Sequence, residues 1–227
     1  MISAIVLAAG SSVRMRGVNK QLACIDGIPV FVHSALCFER SERVGEIIIA
    51  APESDIELMR DAALKFGITK LKAVTAGGKT RAASVKNALA EVSPDAEYIS
   101  IHDGARPLIT TEEAEGVFDD AERYGAAIAA IRATDTVKVA ENGVISRTEP
   151  REALWYAQTP QVFKAEIYLS CISKLGEKIN ALTDDSSLLE ACGESVHLTE
   201  IGCCNMKITR PDDLAAAEAI YSQRRQV

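Results

Sequence analysis

The chain has 227 residues, 48% hydrophobic and 25% charged, enough apolar material for one substantial core. A net charge of −7 argues against a broad nucleic-acid footprint, which depends on neutralising many phosphates, so any polyanion has to be held locally. The six cysteines form no C-x-x-C pair and no metal-ligand spacing with the three histidines, a pattern that fits free thiols in a reducing cytoplasm.

The N-terminal MISAIVLAAG has an apolar run of a few residues with no basic segment before it, so it reads as a buried strand rather than a signal peptide. No stretch is apolar for long enough to span a membrane. Further β-branched runs follow: EIIIA at 46–50, LKAVT at 71–75, YISIH at 98–102 and AAIAAI at 126–131. Between them Val85, Ala88, Leu89 and Val92, and later Ala114, Val117, Phe118 and Ala121, recur at helical spacing. This alternation predicts an α/β fold with a mostly parallel sheet, built as one domain over 1–227.

After Ala133 the pattern changes. Two β-like pieces flank Asn142-Gly143, a strong hairpin signal, and 134 to about 158 is predicted to form a protruding hairpin arm. Val137, Val139, Val144 and Ile145 near its tip would be costly to leave in water, so a second copy of the chain is expected to cover them, the alternative being a hairpin folded back on its own domain. Helices are predicted around 164–176 and 184–192, short strands near 195–200 and 205–209, and a last helix opened by Pro211 with Asp212 and Asp213 against its dipole.

Three segments carry candidate chemistry. LAAGSSVRMRGVNKQL follows the first strand, where open parallel sheets bind ligands. It matches neither G-x-G-x-x-G nor the P-loop pattern. Its small residues Ala8, Ala9 and Gly10 let backbone amides approach phosphate oxygens, and Arg14, Arg16 and Lys20 come before the first acidic residue, Asp26. HDGARP at 102–107 ends another strand at the same predicted sheet edge; Asp103 can ligate Mg²⁺ and Arg106 can clamp a phosphate. His102 reads better as a buried histidine satisfied by a backbone partner. In GGKTRAASVKNAL, Gly78, Arg81 and Ser84 could meet a nucleobase, although a plain helix start capped by Thr80 explains the same residues.

Taken together, LAAGSSVRMRGVNKQL, GGKTRAASV, HDGARP, TDTVK, LWYAQTPQVF, LTDDSSLLE and NMKITRPDDL closely resemble the 2-C-methyl-D-erythritol 4-phosphate cytidylyltransferases, in the same order and nearly end to end. The resemblance implies a Rossmann-like sheet with helices on both faces, a homodimer joined through the arms, a cytoplasmic location, and CTP and methylerythritol phosphate as substrates with Mg²⁺ as cofactor. It implies that Ala8, Ala9, Gly10, Gly78 and Ser84, beside Arg81, hold the nucleotide. Arg14 and Lys20 would meet the CTP phosphates, and Asp103 would sit by the metal. Arg106, Thr136, Arg151, Thr159, Thr183 and Lys207 would form the acceptor pocket, some of them, with Arg151 acting across the dimer, reaching it from the partner's arm, and Lys207 would also touch the reacting phosphate. The chain departs from the family pattern at Lys79 and at Cys203 and Cys204. A ribitol 5-phosphate cytidylyltransferase and a non-catalytic nucleotide-binding module are the alternatives.

On this reading Lys20 stabilises charge developing on the α-phosphate and the leaving group. Lys20→Ala should lower kcat by on the order of a hundredfold. A turnover within about threefold of the unaltered chain, measured as pyrophosphate release, would remove Lys20 from that role.

Overall fold

The computed structural model describes residues 1–10, 19–202 and 204–224. Arg14 and Cys203 therefore lie outside the described residues. In chain order the elements are β1 (Ile2–Leu7), a small hairpin of β2 (Cys24–Ile25) and β3 (Ile28–Pro29), α1 (Val30–Glu39), β4 (Val44–Ala51), α2 (Ile56–Lys65), β5 (Leu71–Ala76), α3 (Arg81–Leu89), β6 (Tyr98–Asp103) and α4 (Thr111–Tyr124). There follow β7 (Ala126–Arg132), β8 (Lys138–Glu141), β9 (Val144–Thr148), β10 (Trp155–Lys164), α5 (Ala165–Leu175), α6 (Ser186–Ala191), β11 (His197–Glu200) and α7 (Pro211–Arg224).

The main sheet has seven strands in the order β11-β7-β10-β6-β1-β4-β5. Only β10 runs against its neighbours, pairing antiparallel with both β6 and β7, while the β1–β4, β1–β6, β4–β5 and β7–β11 pairs are parallel. The expected mostly parallel sheet is therefore present, with apolar strands such as Ile47–Ile49 buried on both faces. On one face α1, α2 and α4 contribute Phe31, Phe38, Met59 and Phe118; on the other α3, α5 and α6 contribute Val85, Tyr168 and Leu189. A third, smaller cluster seats α7 against Ile25, Leu108 and Ile208.

The arm is shorter than expected. β8 and β9 pair only with each other, joined by Asn142 and Gly143 at φ of 50° and 81°, the left-handed conformations that a tight hairpin turn demands. The segment from Trp155 onward, placed in the arm up to 158 by its sequence, is instead a strand inside the main sheet. Its polar residues hid it. Gln161 is 1% exposed, yet both ends of its amide are satisfied: Oε1 accepts the N–H groups of Asp185 and Ser186, and Nε2 donates to Asp184 Oδ2 at 2.8 Å. Residues 205–209 are also not a strand. There the backbone N–H of Ile208 donates to Ala105 O, and Asp213 Oδ2 accepts the backbone N–H groups of Thr209 and Arg210 ahead of α7.

At the opposite edge of the sheet from the strand carboxyl ends, buried Glu46 ties three segments together. Its carboxylate accepts from the hydroxyls of Ser3 and Ser93 and the Ser93 N–H, and pairs with Lys72 Nζ at 2.8 Å. Burial opposes the charge, but Lys72 and these donors outweigh it and hold the carboxyl at about 2. Because that value lies below the usual carboxylate range, the contribution to stability is complete above about pH 4.5 and is lost as pH falls towards 2. Glu46→Gln should cost on the order of 2 kcal/mol in urea denaturation at neutral pH. The difference from the unaltered chain should shrink in acid.

Candidate functional site

The chain steps from β1 outward to β4 and β5 on one side, then returns to place β6 on the other side of β1. The order of strands thus reverses between β1 and β6, and a crevice opens beyond their carboxyl ends. A cavity of about 460 Å³ occupies that position. Its walls include Ala9 and Gly10 after β1, Gly78 and the start of α3 after β5, and Asp103 at the end of β6.

Close backbone packing forms its floor. A side chain at Gly77 would collide with the Ala9 methyl group and crowd Ser84 Oγ, so only glycine lets the β5–α3 turn lie against the β1 loop. Ser84, read from the sequence as a contact to the base, is nearly buried and uses its hydroxyl internally: it accepts the Gly78 N–H at 3.0 Å and donates to Thr80 O at 3.0 Å. Thr80 caps α3 through the Ala83 N–H, as its sequence position suggested. Ser84 thereby fixes the Gly78 backbone at the rim of the cavity. Ala8 is fully buried beneath the rim.

Charge is concentrated on the β6 side. Asp103 Oδ2 lies 2.8 Å from Lys207 Nζ and 3.4 Å from Arg106 Nε, while Oδ1 lies 3.9 Å from Arg81 Nε. Burial alone would raise this carboxyl, but Lys207, Arg81 and Arg106 hold it well below the ordinary carboxylate range. Arg81 is gripped from behind by Asp185 at 2.5 Å, and Asp185 in turn accepts from the Tyr168 hydroxyl at 2.6 Å. Burial and the adjacent Asp185 carboxylate push Tyr168 well above its usual value, so it acts as a fixed donor. Lys20 also lines the cavity, with Nζ donating to Ile208 O at 3.3 Å. Cations outnumber carboxylates around this space, which suits a polyanionic ligand.

His102 is fully buried, and burial draws its ring down to about 4. The reading of His102 as satisfied internally therefore agrees with the structure, although its partners include a side chain. Its Nε2 faces Arg106 O at 3.2 Å, and its Nδ1 faces Thr159 Oγ1 at 3.0 Å. Thr159, assigned by resemblance to the acceptor pocket, is only 4% exposed and its hydroxyl is engaged in this contact. Arg106 sits behind Asp103 and donates to Asn205 O at 2.8 Å.

The cavity thus gathers Ala9, Gly10, Lys20, Gly78, Arg81, Ser84, Asp103 and Lys207. Of the other expected residues among those described, Ala8, Arg106 and Thr159 are not part of its lining, and three more are exposed elsewhere on the same chain. Arg151 stands exposed at the base of the arm with its guanidinium on Thr134 O, Thr136 is exposed in the preceding loop, and Thr183 is exposed beside Ser187. Sequence reasoning missed Gln21, Gln161, Tyr168, Asp185 and Asn205 as parts of this neighbourhood. Asp185 stands in the quoted LTDDSSLLE, but nothing local in that run tells that it holds an arginine 104 positions earlier.

Residues 2–223 match the model of the family described as 2-C-methyl-D-erythritol 4-phosphate cytidylyltransferase. The enzyme of that description from Syntrophus aciditrophicus is 43% identical over 225 residues, covering 98% of this chain and 96% of the relative. Its counterpart from Alkaliphilus oremlandii is 37% identical, with 99% and 96% covered. Among solved structures, the 4-diphosphocytidyl-2C-methyl-D-erythritol synthase of Anaerococcus prevotii superposes with a TM-score of 0.86 at 27% identity, covering 97% of this chain and 98% of that one. The 2-C-methyl-D-erythritol 4-phosphate cytidylyltransferase of Thermus thermophilus gives 0.79 at 27% identity, with 96% and 98% covered. With its sheet, its cavity and nearly its whole length matched, the chain belongs to the 2-C-methyl-D-erythritol 4-phosphate cytidylyltransferase family.

Proposed function

We propose that the chain, acting as one catalytic domain in the cytoplasm, transfers CMP from CTP to 2-C-methyl-D-erythritol 4-phosphate and releases pyrophosphate. The observation that carries this reading is the convergence of Lys20, Arg81, Asp103 and Lys207 with the backbone of Ala9, Gly10 and Gly78 on one cavity at the strand-order reversal. A phosphate monoester has its second pKa near ~6, so the acceptor is largely a dianion at neutral pH. Its oxygen attacks the α-phosphorus of CTP, forming the new P–O bond as the bond to pyrophosphate breaks. No proton has to be removed first. The obstacle is repulsion between two polyanions, which cations and alignment overcome.

In this reading the amides after β1 and β5 seat the nucleotide, and Lys20 with Arg14 neutralises its phosphates. Lys207, already beside Asp103, draws the acceptor phosphate into line. Among the described residues no cluster of three or more histidine, cysteine or acidic side chains could cage a metal by itself. A single carboxylate opening on a phosphate site nevertheless suits Mg²⁺, which keeps most of its coordination for water and phosphate oxygens. Asp103 is the residue that would hold it, and its chemistry there would be to offset charge on the triphosphate.

Exposure of the arm supports a homodimer. Val144 is 70% exposed, Ile145 59% and the nearby Tyr156 47%. Covering them with a second copy removes apolar surface from water and can carry Arg151 and Thr136 into the partner's cavity. The alternative of a non-catalytic nucleotide-binding module leaves the pairing of Lys207 with Asp103 without a task.

Pyrophosphate release from CTP with methylerythritol phosphate should be observed, should fall to background with ribitol 5-phosphate as acceptor, and should be abolished by chelating divalent cations. Release with ribitol 5-phosphate alone would overturn the acceptor assignment, and release unaffected by chelation would overturn the metal assignment. If Arg151 acts across the dimer, inactive Arg151→Ala and Lys20→Ala chains should complement each other on mixing. With random exchange half the dimers are hybrids, each with one intact site, so about a quarter of normal turnover should return. No recovery after demonstrated exchange would place Arg151 in its own chain's site.

A further inference from the structure

Pro160 has no N–H to offer a ladder, and β10 is interrupted around it: pairing with β7 breaks between Ala157 and Gln161, and pairing with β6 begins only at Gln161. Gln158, Thr159 and Pro160 are thereby released from both neighbours at the level where β6 ends in His102 and Asp103. Irregularities of this kind re-aim groups beside functional sites. Here the released groups of Thr159 turn onto the end of β6 and the segment before Lys207.

Donors and acceptors along this path match without remainder. The Asp103 N–H donates to Thr159 Oγ1 at 3.0 Å. The Thr159 hydroxyl then has its single proton to give, and His102 Nδ1 lies 3.0 Å away. On the far side of the ring, Nε2 faces Arg106 O at 3.2 Å, an atom that can only accept. When the Thr159 hydroxyl donates to Nδ1, the neutral ring carries its proton on Nε2, where Arg106 O accepts it. A second path closes the circuit: Asn205 Nδ2 donates to Thr159 O at 2.9 Å, and Arg106 donates both to Asn205 O at 2.8 Å and to Asp103 Oδ2 at 3.4 Å. His102, Thr159 and Asn205 are each buried, so water does not compete for these bonds.

We propose that His102 and Thr159 are positioning residues for Asp103, a two-residue relay that clamps the 102–106 turn and, through Asn205, the segment carrying Lys207. This rests on the functional reading above and deepens it. The carboxylate and the lysine that flank the reacting phosphates are set by one buried circuit, and Thr159 serves that circuit rather than touching the acceptor.

The test is a kinetic double-mutant cycle with CTP and methylerythritol phosphate. Thr159→Val, which keeps shape and removes the hydroxyl, and His102→Gln should each lower kcat by on the order of ten- to a hundredfold. KM for either substrate should stay within about threefold. The double variant should be no worse than the weaker single one, and Thr159→Ser, which restores the hydroxyl, should stay within about threefold of the unaltered chain. A raised KM for the acceptor with unchanged kcat in Thr159→Val, while His102→Gln behaves normally, would make Thr159 a direct ligand and overturn the proposal. Losses that multiply in the double variant would overturn it too. Nitrogen-15 NMR of the unaltered chain tests the wiring independently of variant folding and of the true acceptor. His102 should carry its proton on Nε2 at neutral pH, and a proton on Nδ1 would sink the relay.

Discussion

One buried carboxylate organises this site. Asp103 sits within 4 Å of Lys207, Arg106 and Arg81, groups that would repel one another if the anion were absent. Charged groups lose hydration on burial, and the loss is tolerated only where partners and hydrogen bonds replace water. Asp103 supplies that partner to three cations while still reaching the cavity surface. The arrangement is therefore charged in excess on the positive side, and it is held in shape before any ligand arrives. A triphosphate entering it meets groups already aimed, so less of its binding free energy is consumed in gathering them.

The sheet explains how these groups meet. Lys20, Arg81, Asp103 and Lys207 are spread over most of the chain, yet each follows or opens an element at the same end of the parallel strands. Parallel strands bring all their carboxyl ends to one edge, and the reversal between β1 and β6 leaves a gap there that no crossover fills. The antiparallel β10 adds something the parallel strands cannot. It delivers Gln161 to the α6 end and Thr159 to the β6 end, so one strand supports both Asp185, which holds Arg81, and Asp103 itself.

Much of this was legible in the sequence, for reasons that also mark the limit. The buried parallel strands declare themselves because both faces are apolar, and Asn142-Gly143 declares its turn because few other pairs tolerate two positive φ angles. β10 did not, because Gln158, Pro160 and Gln161 resemble a loop until the partners that satisfy Gln161 are known. The stretch 205–209 misled in the opposite sense: Met206 and Ile208 alternate with polar neighbours as a strand would, but they pack beside α7. Within the site, the small residues of 8–10 and the glycines of 77–78 were readable locally. Lys207 came only through resemblance, since its partner Asp103 is 104 positions away and no local pattern reports such a pair.

The proposed chemistry uses no general base. His102 is adjacent to Asp103 in sequence and would be the obvious candidate, yet it is fully buried, drawn towards the neutral form, and bonded at both nitrogens. A ring so placed can neither reach a substrate proton nor exchange one readily with solvent. That would be a defect for an alcohol nucleophile, which must lose a proton to react. For a phosphate dianion it is no defect, because the reacting oxygen is already unprotonated at neutral pH. What such a nucleophile requires is a fixed path past like charge, and a histidine used to hold Asp103 and its turn in place serves that requirement better than one left free to titrate.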